Sequence, residues 1–185
     1  MRRTPQSGSA NGDACRPGVG APQRTLVVGY GSPIRGDDAI GPLAAEALAA
    51  TPLPEGVRVE ARHVLTAELA EDLAAADRVV FLDATVEGVP GEVRVRRLRP
   101  DPRTASTMAH FHDPRELLAW CEALYGRAPQ AWLVSAAGQS FDYASYALTP
   151  CASAALAAMV AEARRIVSGT ATCDAMSSIP RHGRS

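Results

Sequence analysis

A chain of 185 residues, 46% hydrophobic and 21% charged, has the size of one α/β domain with a full core and is short for two. Its formal charge of −1 gives no general pull toward nucleic acid or an anionic membrane, and no run approaches the roughly 18 apolar residues of a membrane span. Arg2 and Arg3 are followed by no apolar stretch, and Cys15, Cys121, Cys151 and Cys173 are scattered with no C-x-x-C, so the expectation is a cytoplasmic protein with reduced thiols, not a disulfide frame or a zinc cluster.

Met1 to Gln23 is rich in Gly, Pro, Ser, Arg and Asn without apolar period and reads as a disordered tail, or as an over-long start. The domain is expected over residues 24–167. It opens on the stretch around which the chain is organised, Thr25-Leu-Val-Val-Gly-Tyr-Gly-Ser-Pro-Ile-Arg-Gly-Asp-Asp-Ala-Ile-Gly41. A short apolar run, Leu26 to Val28, breaks into a Gly-rich turn, and a helical pattern follows through Leu43, Ala44, Ala47 and Leu48. Pro42 is tolerable only in a first helical turn, which starts the helix between about Asp38 and Gly41. Three readings of Asp37 and Asp38 compete. In the first, Asp37 or Asp38 is a plain helix cap. A nucleotide site fits poorly, because Gly29-Tyr30-Gly31 continues to Ile34 where G-x-G-x-x-G needs Gly, and paired acids repel a pyrophosphate. The third is a carboxylate aimed at a cation, with partners from elsewhere in the chain.

Pro52 and Pro54 end the first helix, and Val57 to Arg62 alternates as a strand. Thr66 to Ala75 reads as a helix with Thr66 as its cap. Arg78 to Ala84 is a near-continuous apolar run ending in Asp83 and Ala84, as in a parallel strand covered on both faces. After a turn at Gly88, Pro90 and Gly91, Glu92 to Leu98 alternates as a more exposed, edge-type strand. A loop carries His110 and His112 up to Asp113-Pro114, where Glu116 completes a capping signature for a helix to Tyr125, stopped by Gly126. Ala131 to Ala136 is a further buried strand, Phe141 to Pro150 a loop, Ser153 to Val167 an amphipathic helix and 168–185 a second disordered tail. Strands alternating with helices predict a single doubly wound, mostly parallel α/β sheet with helices on both faces.

In such a fold the loops after core strands converge on one edge. Asp37 or Asp38, Asp83 and a His of the 110–112 loop then offer two carboxylates and an imidazole, a donor set suited to a borderline divalent metal. Each has a duller role when taken singly: Asp83 as a turn acceptor, His110 as a polar loop residue.

The chain resembles the [NiFe]-hydrogenase maturation proteases, endopeptidases that trim the C-terminus of the hydrogenase large subunit. The resemblance runs from about Arg24 to Val167. It is carried by Val28 to Gly41, Leu65-Thr-Ala-Glu-Leu69, Phe81-Leu-Asp-Ala84 followed by Gly88, His110-x-x-Asp-Pro-x-Glu-Leu-Leu118, and Gly138 to Pro150. It implies a phosphorylase/hydrolase-like sheet and an aspartic-type endopeptidase by family classification. The implied nickel-contacting residues are Asp38, Asp83 and His110, with Asp38 and Asp83 as the catalytic acids. His110 is preferred to His112 because its spacing to Asp113, Glu116 and Leu118 fits the family pattern. The implied partner is the large-subunit precursor, which brings its own nickel, so no permanent cofactor is expected; nor are nucleic acid, membrane or a second subunit. Ser32 stands where the family usually has Asn, and Asp38 where it often has Glu, a side chain about one methylene longer. No G-x-S-x-G or H-E-x-x-H supports a serine or zincin mechanism. Two alternatives carry different tests. A non-hydrolytic metal-dependent binding or regulatory module would leave a nickel-loaded precursor uncut, and a nucleotide-binding flavodoxin-like domain would gain thermal stability from nucleotide.

Overall fold

The computed structural model describes residues 23–104 and 112–169. His110 and nearly all of the two expected tails therefore lie outside the described residues. Five strands form one sheet: β1 (Thr25–Tyr30), β2 (Val57–Arg62), β3 (Arg78–Thr85), β4 (Val93–Leu98) and β5 (Gln130–Ala137), in the order β2-β1-β3-β5-β4. All neighbours are parallel except β4, which runs antiparallel to β5 at the edge, as its alternating pattern suggested. The central β3 is wholly buried from Val79 to Leu82, since helices cover both faces.

The helices are α1 (Ile40–Ala49), α2 (Leu69–Ala75), α3 (Pro114–Tyr125) and α4 (Pro150–Val167). On one face Leu26, Val28, Phe81 and Leu133 pack with Leu73 of α2 and with Leu117 and Leu118 of α3. On the other, Val27, Val80, Leu82 and Val134 meet Leu48 of α1 and Met159 and Ile166 of α4. The fold is thus the expected doubly wound sheet.

Helix starts moved where the capping signals misled. Neither Asp37 nor Asp38 caps α1: both lie in a preceding 3₁₀ turn, Gly36–Ala39, and the cap position is Ala39, which makes no side-chain cap bond. Thr66 does not cap α2 by its side chain; its carbonyl accepts from the Leu69 amide at 3.1 Å, and the helix begins there. Helix α4 starts at Pro150 instead of Ser153, with Thr149 Oγ1 accepting from the Ala152 amide at 3.3 Å. Thr-Pro is itself a start signal of the N-cap and N1 kind, hidden here in a segment read as loop. Helix α3 has the expected bounds, with Asp113 Oδ1 accepting from the Arg115 amide at 2.7 Å. Glu116 does not close the capping box; it turns instead to His112.

Two glycines let α1 lie directly on the sheet. A Cβ at Gly29 would stand 2.1 Å from the Gly41 carbonyl oxygen, and one at Gly41 would stand 2.4 Å from Tyr30 O and 2.5 Å from Leu82 O. Backbone on both sides leaves no room to give. Gly41→Val should therefore cost about 3 kcal/mol or more, a fall of roughly 10 °C in a thermal melt for a domain of this size. Gly126→Ala, where nothing lies within 4 Å and φ is 71°, should cost only the left-handed penalty of about 1 kcal/mol. Equal losses for the two variants would remove close packing as the reason for Gly41.

Candidate active site

The carboxyl ends of β1 and β3 lie side by side, with Gly29 opposite Leu82. The next residues, Tyr30 and Asp83, are then neighbours, and Tyr30 Oη donates to Asp83 Oδ2 at 2.6 Å. The Tyr30 ring is held edge-on against Phe81, with centroids 6.4 Å apart. Past Tyr30 the chain turns through Gly31, where a Cβ would stand 1.9 Å from the Asp38 carbonyl oxygen, so Asp38 sits directly over the end of β1. The Ser32 amide donates to Asp38 Oδ2 at 2.8 Å. Both expected carboxylates are therefore at one edge of the sheet.

The adjacent acids have different work. Asp37 is fully buried and accepts from the Gln139 amide (2.7 Å), the Ser140 amide (3.1 Å), the Thr149 amide (2.7 Å) and Thr149 Oγ1 (2.8 Å). Burial pushes its carboxyl up, but these donors outweigh it and hold the group below its ordinary value. Asp37 thereby ties the turn after β1 to the segment between β5 and α4, and it is a structural pin.

Asp83 behaves in the opposite way. Burial raises its carboxyl to about 7; the Tyr30 hydroxyl and the Ala84 amide pull it down, and the charges of Asp38 and Asp113 push it up further. The same carboxylate, after burial, drives the Tyr30 phenol well above its usual range. Asp83 opens on a cleft of about 150 Å³ whose wall includes Tyr30, Thr85, Arg96, Asp113, Arg115 and Ser135. A half-buried carboxyl titrating near neutrality in a polar cleft is a candidate functional group.

Of the three residues expected to contact nickel, Asp38 and Asp83 share this edge, and His110 lies outside the described residues. Among the described residues no three His, Cys, Asp or Glu side chains converge to hold a metal ion. His112 is engaged elsewhere: its Nδ1 is 3.1 Å from Glu116 Oε2, and its ring stacks edge-on to Trp120 at 4.7 Å. It does not line the cleft, and its position is that of a packing residue at the foot of α3.

Tyr30 and Arg96 were not singled out from the sequence. Tyr30 lay in the Gly-x-Gly turn as an unassigned position, although a tyrosine at a strand end is a donor in search of an acceptor. Arg96 faces the cleft because it pairs with Leu133, which pairs with Phe81, on the same face as Asp83. That needed the register of two strand pairs.

No family model matches the chain, and no curated protein sequence does. Solved structures do. The hydrogenase maturating endopeptidase HybD from E. coli is 24% identical, with a TM-score of 0.64 over 80% of this chain and 94% of its own. A hydrogenase 2 maturation peptidase from Thaumarchaeota archaeon SCGC_AB-539-E09 is 25% identical, with a TM-score of 0.61 over 79% of this chain and 99% of its own. The [NiFe] hydrogenase maturation protease HycI from Thermococcus kodakarensis is 22% identical, with a TM-score of 0.61 over 79% and 93%. Over most of its length the chain has the fold of the hydrogenase maturation endopeptidases, and it resembles that family.

Proposed function

We propose that the protein is an endopeptidase that removes the C-terminal extension of a [NiFe]-hydrogenase large-subunit precursor after nickel insertion, recognising the nickel already bound there. The likeness to the maturation endopeptidases and the order of the sequence motifs support this. The observation that carries it is the pair Asp38 and Asp83, two carboxylates set at one sheet edge in unlike environments.

Asp38, oriented by the Ser32 amide, and Asp83, oriented by Tyr30, would contact the precursor's nickel together with His110. Carboxylate and imidazole donors suit that borderline ion. The ion belongs to the substrate, so the protein needs no permanent metal; its Lewis acidity would be available at the scissile carbonyl. A carboxyl titrating near 7, as Asp83 does, has the basicity suited to taking a proton from an attacking water at neutral pH. In the aspartic-type scheme the two acids then divide the work: Asp38 stays on the ion, and Asp83, when not occupied as a ligand, takes the proton from water. We propose that the enzyme acts as a cytoplasmic monomer, without nucleic acid or membrane. Among the described residues no helix is long and apolar enough to cross a membrane.

The test is cleavage of purified precursor with and without nickel. Wild type should cut only the nickel-loaded form. His110→Ala should abolish cutting, since its imidazole is a proposed ligand. His112→Ala should retain most of it and lose about 1–2 kcal/mol of stability, because its role is packing against Glu116 and Trp120. Efficient cutting of nickel-free precursor, or a dead His112→Ala beside a live His110→Ala, would defeat the proposal. Binding of loaded precursor without any cutting would leave a binding module.

A further inference from the structure

We propose that the open edge of β4, with the cleft beside it, receives an acidic, extended peptide segment of the substrate as an added strand. The proposal rests on the endopeptidase reading and says how that substrate is held.

Among the described residues, strand β4 is paired on one side only, with β5. The Ala137 amide donates to Glu92 O at 2.9 Å, and hydrogen-bonded pairs alternate along an antiparallel ladder. Residues 94, 96 and 98 therefore turn their backbone groups toward β5, whereas 93, 95 and 97 turn theirs outward. Such a row is a template for another strand. The edge is also basic. Residues 92–104 carry Arg94, Arg96, Arg97, Arg99 and Arg103 against Glu92 and Asp101, in a chain of net charge −1. Arg94 is paired with Glu92 at 2.8 Å, and Arg97 lies over the Trp132 ring at 5.4 Å. Arg96 and Arg99 make no ion pair among the described residues.

The basic edge and the candidate active site are continuous. A second cleft of about 330 Å³, walled by Arg96, Arg97 and Arg99, shares Arg96, Leu98 and Arg115 with the cleft of Asp83. A strand added beyond β4 would lie three inter-strand spacings from β3, about 14 Å. About four extended residues cover that distance. The acidic segment is thus a few residues from the bond to be cut. Two copies of this chain are poor occupants, because pairing β4 with β4 sets arginines against arginines. A nucleic acid would answer the charge but not the outward row of alternating N–H and C=O groups.

The probe is a fluorescein-labelled peptide of about ten residues, long enough to span the strand, alternating Glu and Val. Its Lys and Val counterpart and a short oligo-dT are the controls, and the full chain is used without nickel. The acidic peptide should bind, and both raised salt and the double variant Arg96→Gln, Arg99→Gln should weaken it about tenfold. On binding, the amides of Val95 and Arg97 should gain hydrogen-exchange protection while those of Arg94 and Arg96 stay as they were. Equal binding of the Lys peptide, tighter binding of oligo-dT, unchanged affinity in the double variant or no new protection at Val95 and Arg97 would each overturn the proposal. If the double variant fails to fold, the exchange measurement on wild type decides. Peptide binding with no cutting of precursor would sink the endopeptidase reading alone. Normal cutting by a folded double variant would sink the docking alone.

Discussion

Asp37→Ala should lower the melting temperature by roughly 10 °C or more, although it changes only one of two adjacent acids. The substitution leaves two loop amides, the Thr149 amide and the Thr149 hydroxyl without their acceptor in a buried place. Orphaned donors of that kind, in a charge-assisted cluster, cost about 3–5 kcal/mol together. The pH dependence follows from the carboxyl being held below its ordinary value of 3.8. A group depressed in the folded state contributes stability above its unfolded value and loses it as pH falls through the folded one. The gap between wild type and Asp37→Ala should therefore be widest near neutrality and close below about pH 4. Thermal melts across that range are the check. Asp38→Ala beside it loses one bond, from the Ser32 amide, and should cost about 1 kcal/mol. An Asp37→Ala protein as stable as wild type would show that the segment 139–149 is held by something other than this carboxylate.

Asp83→Asn should do the reverse: fold normally and cut precursor at least a hundredfold more slowly, the lower end of what a general acid–base group supplies. Asn keeps an acceptor for the Tyr30 hydroxyl, so any loss of stability at neutral pH should stay under about 1.5 kcal/mol. The sign of its pH dependence separates it from Asp37. A carboxyl raised from 3.8 to about 7 binds a proton more tightly folded than unfolded. Its favourable contribution is complete below the unfolded value and is lost as pH rises from about 4 to 7. Wild type should therefore lose stability relative to Asp83→Asn between those values. A variant that cuts normally would remove Asp83 from the site. One that no longer folds would make its role structural.

These two aspartates mark where local and distant information part. Apolar runs bounded by Gly and Pro were enough to place β1, β3 and β5, and alternation was enough to put β4 at an edge, because strand burial is written in side-chain period. Asp113-Pro114 and Gly126 delimited α3 because a cap and a left-handed stop are made by neighbouring residues. Asp83 at the end of a buried strand was legible for the same reason. The division of labour between Asp37 and Asp38 was not, since the donors that claim Asp37 come from Gln139, Ser140 and Thr149, more than a hundred residues along the chain. Nor was the pairing of Tyr30 with Asp83, or the turn of Arg96 toward the same cleft, which depend on the register of β1 with β3 and of β5 with both β3 and β4. Short-range sterics and hydrophobic period determine what each segment becomes. Which of two adjacent, identical carboxylates is buried under donors and which is left at the sheet edge beside Asp83 is decided only when strands and loops distant in the chain close around them.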